Sequence, residues 1–389
     1  MLKSLDEWRP VGLVAGWQTA ASLCYYSIFA ATGFVREAFS LSESLVGFFL
    51  TAALVGYTVA LFPSGAAVDG YGERPVMIAG LAGLAVAAVA VSLAPTYAAV
   101  LAAGALLGAA YSTAMPASNR GIVAAAPPGR TSLAMGLKQV GVTTGSAAAS
   151  LVVTSVAAVA AWEVGFWAIS VLALGYAGIF ALRYRGRPGT GDLSVPDVRG
   201  LLGRRTYVVL VAAGFFVGAS IFTMLGYIVL YVQDAVGASA AAGGAALALT
   251  QLTGSAARIG AGGLADRLGG ARGSALVALG QLGLGAALFG AVAVAPGSIA
   301  VAFVLFAGLG VSIHGSTGVF YSCLTDLVDG DEVGAATAGG QTAINAGGVV
   351  TPPLFGYLVE TGGYDAAWGL LAVLAGVGAA LLLLVVRRI

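Results

Sequence analysis

Long apolar runs separated by short polar stretches dominate the chain. A window of about 20 apolar residues finds twelve of them, near residues 11–34, 44–66, 76–94, 97–120, 131–157, 163–184, 206–232, 239–264, 273–294, 299–322, 333–357 and 366–386. They lack the short alternating segments of a membrane β-barrel. Lipid offers backbone N–H and C=O groups no partners, so each run must bond within itself. The pattern therefore predicts an all-α polytopic membrane protein with twelve transmembrane helices. Composition agrees: of 389 residues, 59% are hydrophobic and 9% charged, with a mean hydropathy of +0.95, which excludes a soluble globule.

Charge placement predicts orientation. Fifteen of the 18 Lys and Arg residues fall at the chain ends or in alternate loops, Lys3, Arg74, Arg120, Arg130, Arg199 and Arg272 among them. By the positive-inside rule these loops and both termini are cytoplasmic, and the Ala- and Gly-rich composition suggests a prokaryotic inner membrane. Arg36 alone falls in an outside loop, while Lys138 and Arg258 lie within runs. The first run follows Asp6, Glu7 and Arg9 and is too long for a signal-peptide core, so no cleavable signal is expected. Cys24 and Cys323 lack metal or redox spacing and read as small packing residues. With no P-loop, nucleotide-binding segment or metal-ligand cluster, the reading is a non-enzyme without cofactor, metal or nucleic-acid partner.

The one long polar stretch, RYRGRPGTGDLSVPDVRGLLGRR at 183–205, separates six runs from six. The expected domains are an N-terminal six-helix bundle (1–184), a cytoplasmic linker (185–205) and a C-terminal six-helix bundle (206–389). The halves echo one another. GAAVDGYGERP (65–75) and GGLADRLGGAR (262–272) share Gly-x-x-x-Asp-x-x-Gly, with Gly65 and Gly262, and Asp69 and Asp266, each 197 positions apart. More weakly, GLKQVGVTTG (136–145) matches GGQTAINAGG (339–348). Internal repeats of this kind mark two-domain transporters whose substrate site lies between the halves.

Twelve helices, a central polar loop and the repeated Gly-x-x-x-Asp-x-x-Gly loop resemble the major facilitator superfamily over essentially the whole chain. The resemblance implies two six-helix bundles related by pseudo-two-fold symmetry, rocking about a central site as a functional monomer. Helices one, four, seven and ten would line the cavity, and Asp69 and Asp266, with Gly65, Gly262 and Arg74, would gate its cytoplasmic side. Gly70 and Glu73 depart from the basic residues usual there. Tight turns using glycine's backbone freedom remain the other reading of these loops.

An intramembrane cation marks a functional site by default. Arg258 lies eight residues before Asp266, and Lys138 eight after Arg130, so both sit about 12 Å deep at 1.5 Å per residue. Neither has a charged counterpart in the repeat, and all 17 Asp and Glu residues map to helix ends, loops or termini. The missing counter-charge points to an anionic substrate clasped by Arg258 and Lys138. Snorkelling by Lys138 and bonds from Arg258 to main-chain carbonyls are the bland alternatives. The position of Arg258 resembles that of the substrate-binding arginine of the monocarboxylate and oxalate/formate branches, although Gly254 stands where an animal monocarboxylate carrier has Asp. AMGLKQVGVTTG is similar to cyanate-type permeases.

The expected function is a secondary active transporter of a small organic anion, with a proton or counter-anion as coupling species. The alternative is a proton-coupled efflux pump for drugs or other amphiphiles. Further substrate candidates are Gln18 and Tyr25, on one stripe with Ser22 and Phe29, together with Tyr111, Gln341 and Asn345. Thr223, Tyr227 and Tyr231 suggest an outer gate, with Tyr231 equally suited to the interfacial belt. His314, the single histidine, is a substrate and proton-coupling candidate, or else a neutral histidine satisfied by a neighbouring helix.

Overall fold

The computed structural model describes residues 2–128, 130–191, 193, 199–295, 297–329 and 332–389, without the side chains of 2–6, 131, 132 and 199. The side chains of Lys3 and Arg199 and most of the stretch 192–198 of the expected linker thus lie outside the described residues.

The first eight helices are α1 (Leu2–Ala30), α2 (Thr32–Phe39), α3 (Glu43–Tyr71), α4 (Glu73–Ser92), α5 (Tyr97–Tyr111), α6 (Ala114–Ala125), α7 (Thr131–Ala157) and α8 (Trp162–Arg183). After a short 3₁₀ turn at Arg199–Gly203 come α9 (Arg205–Asp234), α10 (Ala240–Leu268), α11 (Gly270–Val294), α12 (Ile299–Ser312), α13 (Thr317–Asp326) and α14 (Val333–Val386). Nine stretches among the described residues are long and apolar enough to cross a membrane. One of these, α14, has 54 residues and a break at Gly363 (φ 76°), making it two crossings. Helices α1 and α10, each of 29 residues, are as long but more polar, and with them the described residues make twelve crossings. The all-α polytopic fold therefore stands.

The apolar pattern missed the breaks inside its runs. The fourth crossing is α5 followed by α6, where the Ser112 and Thr113 hydroxyls bond to Ala109 and Ala110 carbonyls and compete with the helix ladder. The tenth is α12 followed by a 3₁₀ turn at His314–Ser316 and then α13. Conversely, the loop expected between residues 357 and 366 is reduced to the departure at Gly363. Helix ends elsewhere follow the turn chemistry: Gly72 (φ 87°) separates α3 from α4, and Gly269 (φ 85°) separates α10 from α11. These are the closing glycines of the two Gly-x-x-x-Asp-x-x-Gly motifs, in a conformation that L-residues rarely adopt.

The chain forms two compact units, Met1–Ala31 with Ala52–Val195, and Thr32–Thr51 with Pro196–Ile389. Residues 32–51, the α2–α3 corner, thus belong with the second unit although they precede most of the first. Corresponding helices pack alike inside each unit. In the first, Gly141 and Gly145 of α7 face the Ala15 and Thr19 carbonyls of α1 with no space for a side chain. In the second, Gly347 of α14 and Gly218 of α9 meet the Phe215 and Ile344 carbonyls in the same way. Small residues let backbones approach closely, which is how helices associate where lipid supplies no hydrophobic drive. Large apolar side chains meanwhile point outward, Val59, Leu182, Ile259 and Val304 among them. Such a surface needs a bilayer around it.

Candidate functional site

In the first unit a polar chain runs beneath an aromatic cluster. Gln18 Nε2 donates to Ser22 Oγ at 3.3 Å, and Ser22 Oγ is 3.1 Å from Tyr111 OH. The Tyr25 ring stacks on Tyr111 at 4.1 Å and 2°, with Tyr57, Tyr26 and Phe29 packed edge-on against Tyr25. One stripe of α1 supplies Gln18, Ser22, Tyr25 and Phe29, because residues spaced by four and three share a helix face. Two polar atoms in this cluster, Gln18 Oε1 and Tyr25 OH, are buried without a hydrogen-bond partner among the described residues. Buried polar groups are nearly always satisfied, so both atoms are suited to a ligand or water.

Lys138, 2% exposed, donates from Nζ to Asn119 Oδ1 at 2.7 Å. The ammonium is not extended toward solvent; α7 presents it to the side of α6. Asn119 carries no charge, so an amide in an apolar run was the one signal of this pairing in the sequence.

In the second unit the 3₁₀ turn at His314–Ser316 carries the imidazole against α10. Arg258 Nε lies 3.3 Å from the His314 carbonyl oxygen, and Nη2 lies 3.3 Å from His314 Nε2. Arg258 and His314 are thus brought together. A side chain at Gly254 would run into the His314 ring and the Gly310 carbonyl, so the glycine at that position has a packing reason. Gln341 and Asn345, one turn apart on α14, form a second polar chain: Tyr321 OH donates to Gln341 Oε1 at 2.5 Å, and Gln341 Nε2 to Asn345 Oδ1 at 2.8 Å. His314 Nδ1 and Asn345 Nδ2 are buried without partners among the described residues.

The two repeated loops differ sharply. Asp69 accepts from Arg120 Nη1 at 3.3 Å. Glu73, fully buried at the start of α4, accepts from Arg120 Nε at 3.1 Å, the Arg187 backbone N–H at 2.8 Å and Tyr184 OH at 3.3 Å. Arg120 also donates to the Val68 and Pro188 carbonyls, and Arg74 to Ala181 O in the last turn of α8 at 2.7 Å, where a cation suits the helix dipole. Glu73 therefore ties loop, α6 and connector together; the sequence marked it merely as a departure from a family pattern. In the second loop Asp266 is exposed and has no partner among the described residues, and Gly270 stands at the position equivalent to Glu73. Gly65 and Gly262 both face open space.

Tyr227 OH donates to the carbonyls of Glu43 at 2.6 Å and Pro352 at 3.0 Å. Tyr231 packs among the rings of Phe306, Tyr364 and Trp368. Beside them is an ionic cluster absent from the sequence reading. Arg36 of α2 bonds both carboxylate oxygens of Asp234 and also Glu43, Tyr364 OH adds a bond to Asp234 at 3.0 Å, and Glu360 accepts from the Ser44 N–H at 2.7 Å.

Twelve crossings in two compact units, two of them broken at mid-span, with a repeated glycine-aspartate loop, define the class of two-domain membrane transporters. The sequence profile of the Major Facilitator Superfamily matches residues 14–328, and the chain belongs to that family. It is similar in structure to a bacterial homolog of the human lysosomal transporter Spinster. In the inward-facing, occupied form of that protein the identity is 15% and the TM-score 0.78, over 97% of this chain and 96% of the other. In the inward-facing, unoccupied form the values are 16% and 0.78, over 98% and 97%. A sequence search of curated proteins found no match. The protein is thus a multi-pass membrane transporter with the alternating-access fold.

Proposed function

We propose that the protein is a secondary active carrier of a small organic anion, a carboxylate, working as proton symporter or anion exchanger in a cell (inner) membrane with both termini cytoplasmic. The observation that carries this reading is the Arg258 guanidinium, in the interior of α10 and turned toward the helix break at His314. A guanidinium keeps its charge when buried and presents a planar fork of five N–H donors, which matches a carboxylate. Exchanging the long contacts to His314 for a bidentate carboxylate replaces two neutral acceptors of the guanidinium with an anionic one.

Lys138 supports the same reading. Its hydrogen-bond partner among the described residues is the neutral Asn119, which satisfies a donor without cancelling a charge. In this account Gln18, Tyr25, Tyr111, Gln341 and Asn345 supply hydrogen bonds to the substrate, and the loops of Asp69 and Asp266, with Gly65, Gly262 and Arg74, act in gating together with Tyr227 and Tyr231 on the other side. The stacked Tyr25 and Tyr111 rings favour a second reading, efflux of an amphiphile that would lie against the aromatic cluster.

Uptake by proteoliposomes separates the two. Saturable entry of small carboxylates is expected, reduced about 30-fold or more in Arg258→Ala by the loss of one bidentate charge-assisted pair. Undiminished entry in that variant, or movement of amphiphilic dyes alone, would overturn the anion reading.

A further inference from the structure

We propose that His314 binds the coupling proton and that it does so by exchange with Arg258: a proton on His314 Nε2 displaces the guanidinium from the imidazole as Arg258 turns to the substrate anion. This rests on the reading of Arg258 as the anion-binding residue.

The geometry supplies the coupling. A guanidinium has donors and no acceptor, so its Nη2 contact at 3.3 Å with His314 Nε2 requires an unprotonated nitrogen there. The ring is then neutral, with its hydrogen on Nδ1. A second proton on Nε2 would set two positively charged N–H groups against each other. The Arg258–His314 contact and the proton therefore exclude one another. Conversely, when Arg258 leaves for a carboxylate, Nε2 loses its donor inside a site where the ring is 6% exposed, and the new negative charge nearby favours the imidazolium. Each of the two ligands removes what opposes the other, and by linkage the effect is reciprocal. A monocarboxylate and a proton together add no net charge to the interior of a span, which lowers the cost of moving both.

Arg258 is the charged group within hydrogen-bond reach of the ring. Elsewhere on α10, Asp266 and Arg267 lie at its last turns. Helix α11 carries a single charge, Arg272, near its start and offers Gln281, whose Nε2 donates to Val311 O. Helix α12 has no charged residue, and α13 has Tyr321, Cys323 and, at its end, Asp326. In the proton step, a proton from the aqueous side adds to the Nε2 lone pair and leaves from the same atom when the anion departs. No other bond is made or broken.

The test uses the purified full-length chain in detergent with acetate, lactate, oxalate and succinate as probes. Apparent affinity is read from thermal stabilisation at about pH 5.5 and about pH 8, on either side of the ordinary histidine range, and proton uptake on adding the anion is read with a pH dye in weak buffer. Expected is binding strongest at the acid end, falling by up to tenfold per pH unit as pH rises, with about one proton taken up per anion. In His314→Gln, which keeps an acceptor for Arg258, affinity at the acid end drops to the wild-type value at the alkaline end and no longer changes with pH. Anion binding that is independent of pH, without proton uptake, would overturn the coupling and leave the anion reading intact. An unchanged pH profile in His314→Gln would remove His314 as the proton site. If no probe binds to wild type at either pH, the anion reading fails and the coupling with it.

Discussion

Glu73 offers the sharpest prediction about how the loop between α3 and α4 is held. Its carboxylate is fully buried and accepts from Arg120 Nε, Arg187 N–H and Tyr184 OH. Replacing it with Ala leaves a guanidinium, a backbone N–H and a phenol without that acceptor. Breaking a buried ion pair by removing one partner costs about 3–5 kcal/mol. Arg120 is 26% exposed and keeps Asp69 and two carbonyls, so the cost here is about 2–3 kcal/mol after screening. At 1.4 kcal/mol per tenfold, local opening of the connector becomes roughly 30 to 150 times more populated. Limited trypsin digestion reads this at Arg185, which precedes Gly186, whereas Arg187 precedes Pro188. When reclosing is fast, cleavage tracks the open population. Glu73→Ala should therefore be cut after Arg185 at least tenfold faster than wild type, and Glu73→Gln, which keeps an acceptor, at an intermediate rate. Equal rates for wild type and Glu73→Ala would refute the assignment of Glu73 as the clasp.

Other substitutions test other contacts. Arg36→Ala should raise amide hydrogen exchange across residues 32–44, since it removes the bonds to Asp234 and Glu43; the double variant Arg36→Asp with Asp234→Arg should restore part of the protection. Asn119→Leu strips the buried Lys138 ammonium of its acceptor and should cost about 2–4 kcal/mol, seen as a lower melting temperature that Lys138→Met partly recovers in the same background. Gly254→Ala drives a methyl group into His314 and the Gly310 carbonyl and should cost about 1–3 kcal/mol. Gly260→Ala on the same helix meets open space and should be neutral or stabilising by up to about 1 kcal/mol, so comparison of the two melting temperatures isolates the packing effect.

The crossings were legible because twenty-residue apolar runs have one solution in lipid. The repeated loops were legible as well, since Gly72 and Gly269 adopt a backbone that requires glycine. What escaped were interruptions made by side chains too small to lower an apolar average, such as Ser112 and Thr113 after α5. Arg258 and Lys138 stood out as charges in apolar runs, but their partners did not: Asn119 is 19 residues from Lys138 and His314 is 56 from Arg258. A pairing across that distance depends on which helix faces which, and periodicity along one helix carries no such information. The same holds for Arg36, whose partner Asp234 lies 198 residues away. Glu73 was visible yet misvalued, because a family pattern called attention to the missing basic residue and away from the acid in its place.

The central claim is that Arg258 holds the substrate's negative charge, and equilibrium binding tests it most directly. Thermal stabilisation of the purified protein by small carboxylates would be compared between wild type, Arg258→Lys and Arg258→Ala, with uncharged sugars as controls. The account predicts a concentration-dependent rise in melting temperature for wild type with a carboxylate, a weaker one for Arg258→Lys, which keeps the charge and loses the bidentate fork, and none for Arg258→Ala. A shift that persists in Arg258→Ala, or its absence from wild type with every carboxylate, would contradict it.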